Sequence, residues 1–495
     1  LQNFIKRSKL SKSFTFASNY WFSAISIIIS LQILLNYNNL RNGLEMLFLL
    51  PFFFGLLSVY LLRIYQEGGI GLKTFFIILC IRYLLVPLLI SLTNGEFNTL
   101  PVSMPMINAS SIGYQYAVFV SIIELIISAA FINYFVHKLR SRLTKRKEIL
   151  SIKTSNLGLS FFGFIALTIL VILLFTRDIS KLMSTFSFLT IEDKYIDAVS
   201  DPFGILISLT IKMFAFILIT TYCYKLYLVK RNPIWVLISI AIAFVNMSIY
   251  FGYNRSFVLQ TGIVTIYVLY TTYPKYRRMF ILGLAPAGIL IMLSMIFIKQ
   301  FGVSYFETTL SDQLNLSQIS NTIECYVGGP WSLASGFDAA INASFQPVET
   351  FIKDFILNFF VFYLPGFEWV LNIFPDIVSS TITHNVYTYS FQMLPLAANT
   401  LFYGGIIMGI PISISMYCII LKILVLFDYR SMKSIDIGNK YIYSLIAILL
   451  SFVMCYTWVT LIWSFSKNIL WIVLLLFINK IHLSRNGIIY YKKVY

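Results

Sequence analysis

The chain has 495 residues, 58% hydrophobic and only 12% charged. A soluble domain carries about 25% charged residues, so a cytosolic enzyme, a secreted domain and a disordered scaffold are excluded, and lipid is the main solvent. The net charge of +17 is of the size seen in nucleic-acid binders, but in a membrane protein it follows from basic residues collecting in cytoplasmic loops.

The N-terminal stretch is basic (Lys6, Arg7, Lys9, Lys12) and runs into an apolar segment without a small-residue cleavage site. It reads as an uncleaved first span. A spanning helix needs about 20 mostly apolar residues. On that criterion the sequence predicts an all-α polytopic helix bundle of twelve spans: 20–38, 44–62, 74–92, 113–136, 159–176, 204–228, 234–251, 256–272, 279–298, 399–427, 441–462 and 466–481. An even number puts both termini on one side. With the N-terminus cytoplasmic, 26 of the 37 Lys and Arg residues fall in inner segments, 8 in outer segments and 3 within spans. The excess holds at every inner loop, which fixes the predicted orientation and accounts for the net charge without nucleic acid.

Three parts follow: spans 1–9 in residues 1–298, a large extracytoplasmic loop at 299–398, and residues 399–495 with spans 10–12 and a basic tail. The loop holds eight acids against two lysines and is rich in Asn, Ser, Gly and aromatics. A segment of that length is usually a lid or a small folded unit. Within it, 351–369 is apolar but interrupted by Lys353 and Asp354 and ended by Pro365-Gly366, and is expected to be an interfacial or re-entrant helix. No internal repeat is visible, unlike many transporters.

Charges inside spans are costly, about 2.5–3.5 kcal/mol at mid-helix on insertion scales. Arg82 lies mid-span in ILCIRYLLVPLL and Lys212 in SLTIKMFAF, neither with an acid in its own span. Two readings stand for each: snorkelling or a bond to a carbonyl, or an anion site opening outward. Lys422 lies nearer the inner end and reads as a snorkelling side chain. Arg255, in IYFGYNRSFVLQTG, falls at the outer junction of two spans beside Asn254 and Ser256. A guanidinium there is either an interfacial anchor or a bidentate grip for a phosphate.

His384 is the one histidine in the outer loop, beside Asn385, Tyr387 and Tyr389. It is either an ordinary loop histidine or a base for a sugar hydroxyl. Glu324 stands with Tyr326, Gly328-Gly329-Pro330 and Trp331, which is either a tight turn or an acid beside a carbohydrate-stacking surface. No phosphate-binding glycine loop, HExxH or Cys/His cluster is present, and the five cysteines show no metal-ligand spacing. No metal or other cofactor is therefore expected, and stabilisation of negative charge would rest on Arg and Lys.

The predicted spans with both ends inside, the FGYNRSF turn with its outer arginine, one dominant late outer loop and the following LFYGGIIMGIP resemble the Wzy-type O-antigen and capsular repeat-unit polymerases, a polytopic glycosyltransferase-C-like class. The resemblance implies transfer of a growing glycan from undecaprenyl diphosphate to a hydroxyl of the next lipid-linked repeat unit, at the outer face of a bacterial cytoplasmic membrane. It implies Arg255 and His384 as catalytic residues. Arg82, Lys212, Asn254, Glu324, Tyr326 and Tyr387 would bind substrate. It also implies the lipid-linked oligosaccharide as partner, with a chain-length regulator and a flippase of the same pathway. The family's second, outer-loop arginine has no counterpart, because 299–398 contains no arginine. A lipid-linked oligosaccharide flippase, a ligase-like transferase and a structural subunit of the export machinery are the alternatives.

Overall fold

The computed structural model describes residues 20–95, 109–143, 202–248, 255–284, 286, 316–360, 394–458, 460–461, 482–483 and 489–490. They are almost entirely helical, with one two-residue hairpin pairing His482–Leu483 and Ile489–Tyr490. Five helices are long and apolar enough to cross a bilayer: Leu49–Glu67 (α2), Ile70–Leu92 (α3), Ser111–Lys138, Ile211–Lys230 and Gly405–Lys433. The third and fourth belong to Ser111–Leu143 (α4) and Pro202–Lys230 (α5). Tyr20–Leu35 (α1), Ile234–Ser248 (α6) and Arg255–Thr272 (α7) follow the predicted spans. The predicted spans 159–176 and 466–481, and all but the start of 279–298, lie outside the described residues.

Lipid-facing positions carry apolar side chains, such as Ile28, Leu56, Phe119 and Ile407, all exposed. Polar side chains, among them Ser26, Ser58, Ser121 and Asn246, are buried. This distribution follows from a solvent that offers apolar groups no penalty and backbone groups no hydrogen bonds.

Two predicted spans are broken. The stretch 399–427 is not one helix: Leu396–Phe402 (α11) ends at Tyr403, and Gly405–Lys433 (α12) starts anew. Gly404 makes the corner at φ +89°, where a Cβ would also stand 2.8 Å from Val348 Cγ2 and Met408 Cβ. Likewise Ile437–Ser451 (α13) unwinds at Phe452, inside the predicted 441–462 span, and a run of turns carries the chain to Tyr456. In α3 the helix widens to a π turn over Ile81–Leu85. Pro87 follows, with no N–H for the Tyr83 carbonyl and a ring that crowds it, and a π turn is one way to absorb that defect.

The largest departure concerns 299–398, the stretch expected to be an outer loop. Its described part forms three helices, Leu316–Val327 (α8), Pro330–Asn342 (α9) and Val348–Phe360 (α10). α9 is buried through Ala340 and packs along α4 and α11. At one end, Asp338 accepts hydrogen bonds from Ser110 N and Ser110 Oγ, both at 2.6 Å, just before α4 begins. At the other, Gly328 approaches the Met454 carbonyl, deep in the bundle, where an added Cβ would lie 2.8 Å from that oxygen. α8 packs against the end of α3 and its π turn. The pair α8–α9 is therefore a helical hairpin packed into the bundle, α8 beside the end of α3 and α9 along α4. The expected re-entrant segment, 351–369, is helical through Phe360 in α10, and its remainder lies outside the described residues. The hairpin's upper end lies at the Ser110 end of α4, opposite Lys138 of the same helix.

Candidate functional site

A helix whose buried face is polar is unusual, and α8 is one. Ser317, Ser320, Asn321 and Glu324 are buried on it, at spacings of three and four that place them on one face. Leu316, Ile319 and Tyr326 are exposed. The pattern inverts that of a helix in water: the apolar side can face lipid while the polar side faces the protein interior.

Glu324 anchors the bottom of the hairpin. Its carboxylate accepts the Trp331 N–H in the first turn of α9, and its own carbonyl accepts Gly329 N at 3.0 Å. A carboxylate at a helix N-terminus meets both unpaired N–H groups and the positive end of the helix dipole. The second oxygen, Oε2, is buried without a hydrogen-bond partner among the described residues, as are Ser320 Oγ and Ser332 Oγ.

Beneath the hairpin lies Arg82. The π turn sets its guanidinium into the bundle, 1% exposed. Nη2 donates to Glu124 Oε2 of α4 at 2.8 Å and Nη1 to the Met454 carbonyl at 3.2 Å, while Nε has no hydrogen-bond partner among the described residues. That carbonyl belongs to the unwound stretch after α13, so the broken helix supplies a backbone acceptor that an intact helix would have used internally. The network extends outward from the pair. Tyr83 donates to the Ser121 carbonyl at 2.9 Å, and Ser128 donates to the Glu124 carbonyl at 2.5 Å. Ser128 and the Tyr417 hydroxyl of α12 stand 2.6 Å apart.

The structure thus brings two of the predicted residues, Arg82 and Glu324, to one region, linked through Met454 and Gly328. The expectation of Arg82 as an open anion site is corrected: the guanidinium is enclosed and paired with an acid from the neighbouring span. Lys212 is buried, 3% exposed, on α5, which packs against α6 and α13. The expected stacking surface at Glu324 is also corrected. Trp331 is fully buried, and Tyr326 is 42% exposed on the face of α8 away from Glu324. Arg255 is the first residue of α7, and its side chain lies outside the described part, as do Asn254, His384 and Tyr387.

Glu124 is the residue that sequence reasoning missed. The signal was present, since it is the single acid within 113–136, and the rule that singled out Arg82 applies equally to it. Asp338 was counted only as one of the loop acids, because its partner Ser110 is 228 positions away. Among the described residues, no group of three or more His, Cys, Asp and Glu comes together to hold a metal ion.

No protein-family model matches the chain, and neither curated proteins nor solved structures provide a similar one.

Proposed function

We propose that the chain is a polymerase of surface polysaccharide, acting on undecaprenyl-diphosphate-linked oligosaccharides at the outer face of a bacterial cytoplasmic membrane. The reaction breaks the bond between the donor's anomeric carbon and the diphosphate oxygen. It forms a bond from that carbon to an acceptor hydroxyl, whose proton passes to a base while undecaprenyl diphosphate leaves. The observation that carries the reading is the inverted hairpin. A polar wall of Ser317, Ser320, Asn321 and Glu324 inside a lipid-facing bundle suits a substrate with a hydrophilic glycan on an apolar tail. Arg255 at the start of α7 adds a second support, because backbone N–H groups and the dipole at a helix N-terminus favour a diphosphate there. On this reading His384 remains the proposed base for the acceptor. Lys212, Asn254, Tyr326 and Tyr387 remain proposed substrate contacts, and Arg82 acts indirectly, by holding the floor of the hairpin.

The test is to reconstitute the full chain in nanodiscs with one defined undecaprenyl-diphosphate repeat unit. A ladder of products separated by one repeat supports the proposal. A single addition to a different acceptor would make the chain a ligase-like transferase.

A second reading has its own support. A buried ion pair between spans and helices broken inside the bundle are features of transporters, so a lipid-linked oligosaccharide flippase is the runner-up. Transfer of a labelled lipid-linked oligosaccharide across a liposome bilayer, without any new glycosidic bond, would establish it.

A further inference from the structure

Three helix ends meet around Tyr273. α5 ends at Lys230, α6 begins at Ile234, and α7 ends at Thr272. The Tyr273 ring is buried edge-on to Tyr224 and Tyr227 of α5, with centroids 5.7 and 5.4 Å away, and its hydroxyl stands 2.8 Å from Ser239 Oγ of α6. Tyr276 approaches Tyr227 at 6.1 Å. These ring contacts hold the turns 231–233 and 273–278 beside each other. Both turns are basic. Lys230, Arg231, Lys275, Arg277 and Arg278 are exposed, and no Asp or Glu occurs between Asp201 and Glu307. Among the described residues none of these five is ion-paired. α13 packs on α5 and α7, but its capping acid is engaged, since Asp436 accepts Asn439 N at 2.9 Å.

Several of the cations are held in place without being neutralised. Arg231 has a left-handed backbone, φ +50°, and its N–H closes α5 on the Tyr227 carbonyl at 2.9 Å. Glycine or asparagine takes such a corner with less strain than a long side chain does. The Arg231 guanidinium carbon stands 6.0 Å from the Tyr227 ring centroid, and that of Arg277 stands 4.9 Å from the Tyr270 centroid. Arg277 Nε also donates to the Tyr270 carbonyl at 3.3 Å. A ring face attracts a cation but leaves its charge available to an anion. Next to the basic turns the exposed side chains become apolar: Val229 is 80% exposed, Leu237 57% and Leu282 75%. An anion bound at the cations would therefore have hydrocarbon-compatible surface beside it.

We propose that this corner of α5, α6 and α7 binds an anionic phospholipid, its phosphodiester on Arg231 and Arg277 and its acyl chains along the exposed apolar side chains. A guanidinium fork matches two phosphate oxygens, and basic pockets between spanning helices are suited to anionic headgroups. The Lys/Arg skew puts this end of the bundle in the cytoplasmic leaflet. The α12 end offers a contrast. Arg430 and Lys433 also lie over rings, those of Phe427 and Tyr429, but they share one helix and their stretch carries Asp428 and Asp436. The inference stands apart from the proposed polymerase or flippase activity, because none of these five residues belongs to that site.

The experiment is native mass spectrometry of the full chain, delipidated in detergent and offered phosphatidylglycerol and phosphatidylcholine of equal chain length. Wild type is expected to retain phosphatidylglycerol over phosphatidylcholine by about tenfold or more, and the double variant Arg231→Gln/Arg277→Gln to lose that preference. Arg430→Gln/Lys433→Gln, which removes the same charge elsewhere on the chain, is expected to keep it. All four positions are exposed, so both variants should fold. Equal retention of the two lipids by wild type overturns the proposal, as does an unchanged preference in Arg231→Gln/Arg277→Gln. Equal losses in the two double variants also overturn it, because they would show a diffuse field and no site. Glycerophosphoglycerol, the headgroup without chains, is expected not to displace the lipid; displacement at the lipid's own concentration would make this a soluble-anion site and sink the lipid assignment.

Discussion

Asp428, in the last turns of α12, lies 2.6 Å from Gly69 N and 2.7 Å from Gly71 N, so a side chain from one span caps the start of α3 more than 350 residues away in sequence. The two glycines sit where α2 turns into α3, and the helix there has no capping side chain of its own. The pairing satisfies orphan N–H groups that neither water nor lipid would reach. It also ties the α2–α3 corner to α12.

Removing this cap has a measurable cost. Asp428→Ala leaves two buried donors without acceptors and is expected to destabilise the fold by about 1–3 kcal/mol. Asp428→Asn keeps one acceptor and should fall between that variant and wild type. Thermal unfolding of the purified protein in detergent checks the order.

Arg82 and Glu124 predict a non-additive pair. Either Arg82→Met or Glu124→Leu alone leaves a buried charge uncompensated, expected to cost about 3–5 kcal/mol. The double variant removes both charges together and should recover most of that loss. A double-mutant cycle read by thermal unfolding shows the coupling, and additive losses would mean the pair is not formed.

Glu324 predicts a loss of stability from a single hydrogen bond. Glu324→Ala removes the acceptor of the Trp331 N–H and is expected to cost about 1–3 kcal/mol. Glu324→Gln, which keeps an acceptor oxygen, should fall closer to wild type. Thermal unfolding followed by Trp331 fluorescence checks the order.

Gly328 is the hinge of the hairpin. Its φ is +62° and a Cβ would press on the Met454 carbonyl, the same oxygen that receives Arg82. Gly328→Ala is expected to cost about 1–3 kcal/mol from backbone strain and to shorten or abolish the product ladder. A control at Gly283, which meets nothing within 4 Å, should leave both unchanged.

Arg255 carries the prediction most specific to the proposed chemistry. Arg255→Lys keeps the charge but loses the planar fork that grips a diphosphate, and polymer formation should fall by about tenfold or more. Unimpaired polymerisation by Arg255→Ala would remove Arg255 from the site.

Composition and periodicity were enough to read a helical membrane protein. Low charge, apolar runs of spanning length and the Lys/Arg skew all arise from contact with lipid and with the membrane field, which each segment experiences by itself. The in-span charge Arg82 was legible for the same reason, because its cost is local. What only the tertiary structure decided is where the polar groups meet. The Glu124 partner, the Asp338–Ser110 contact and the Asp428 cap each join segments 42 to 359 residues apart, and pairing at that distance leaves no periodic trace. The hairpin was hidden for a related reason. Helices α8 and α9 are too short and too polar to satisfy a hydropathy window, and they sit inside the bundle because α3, α4 and α11 pack around them.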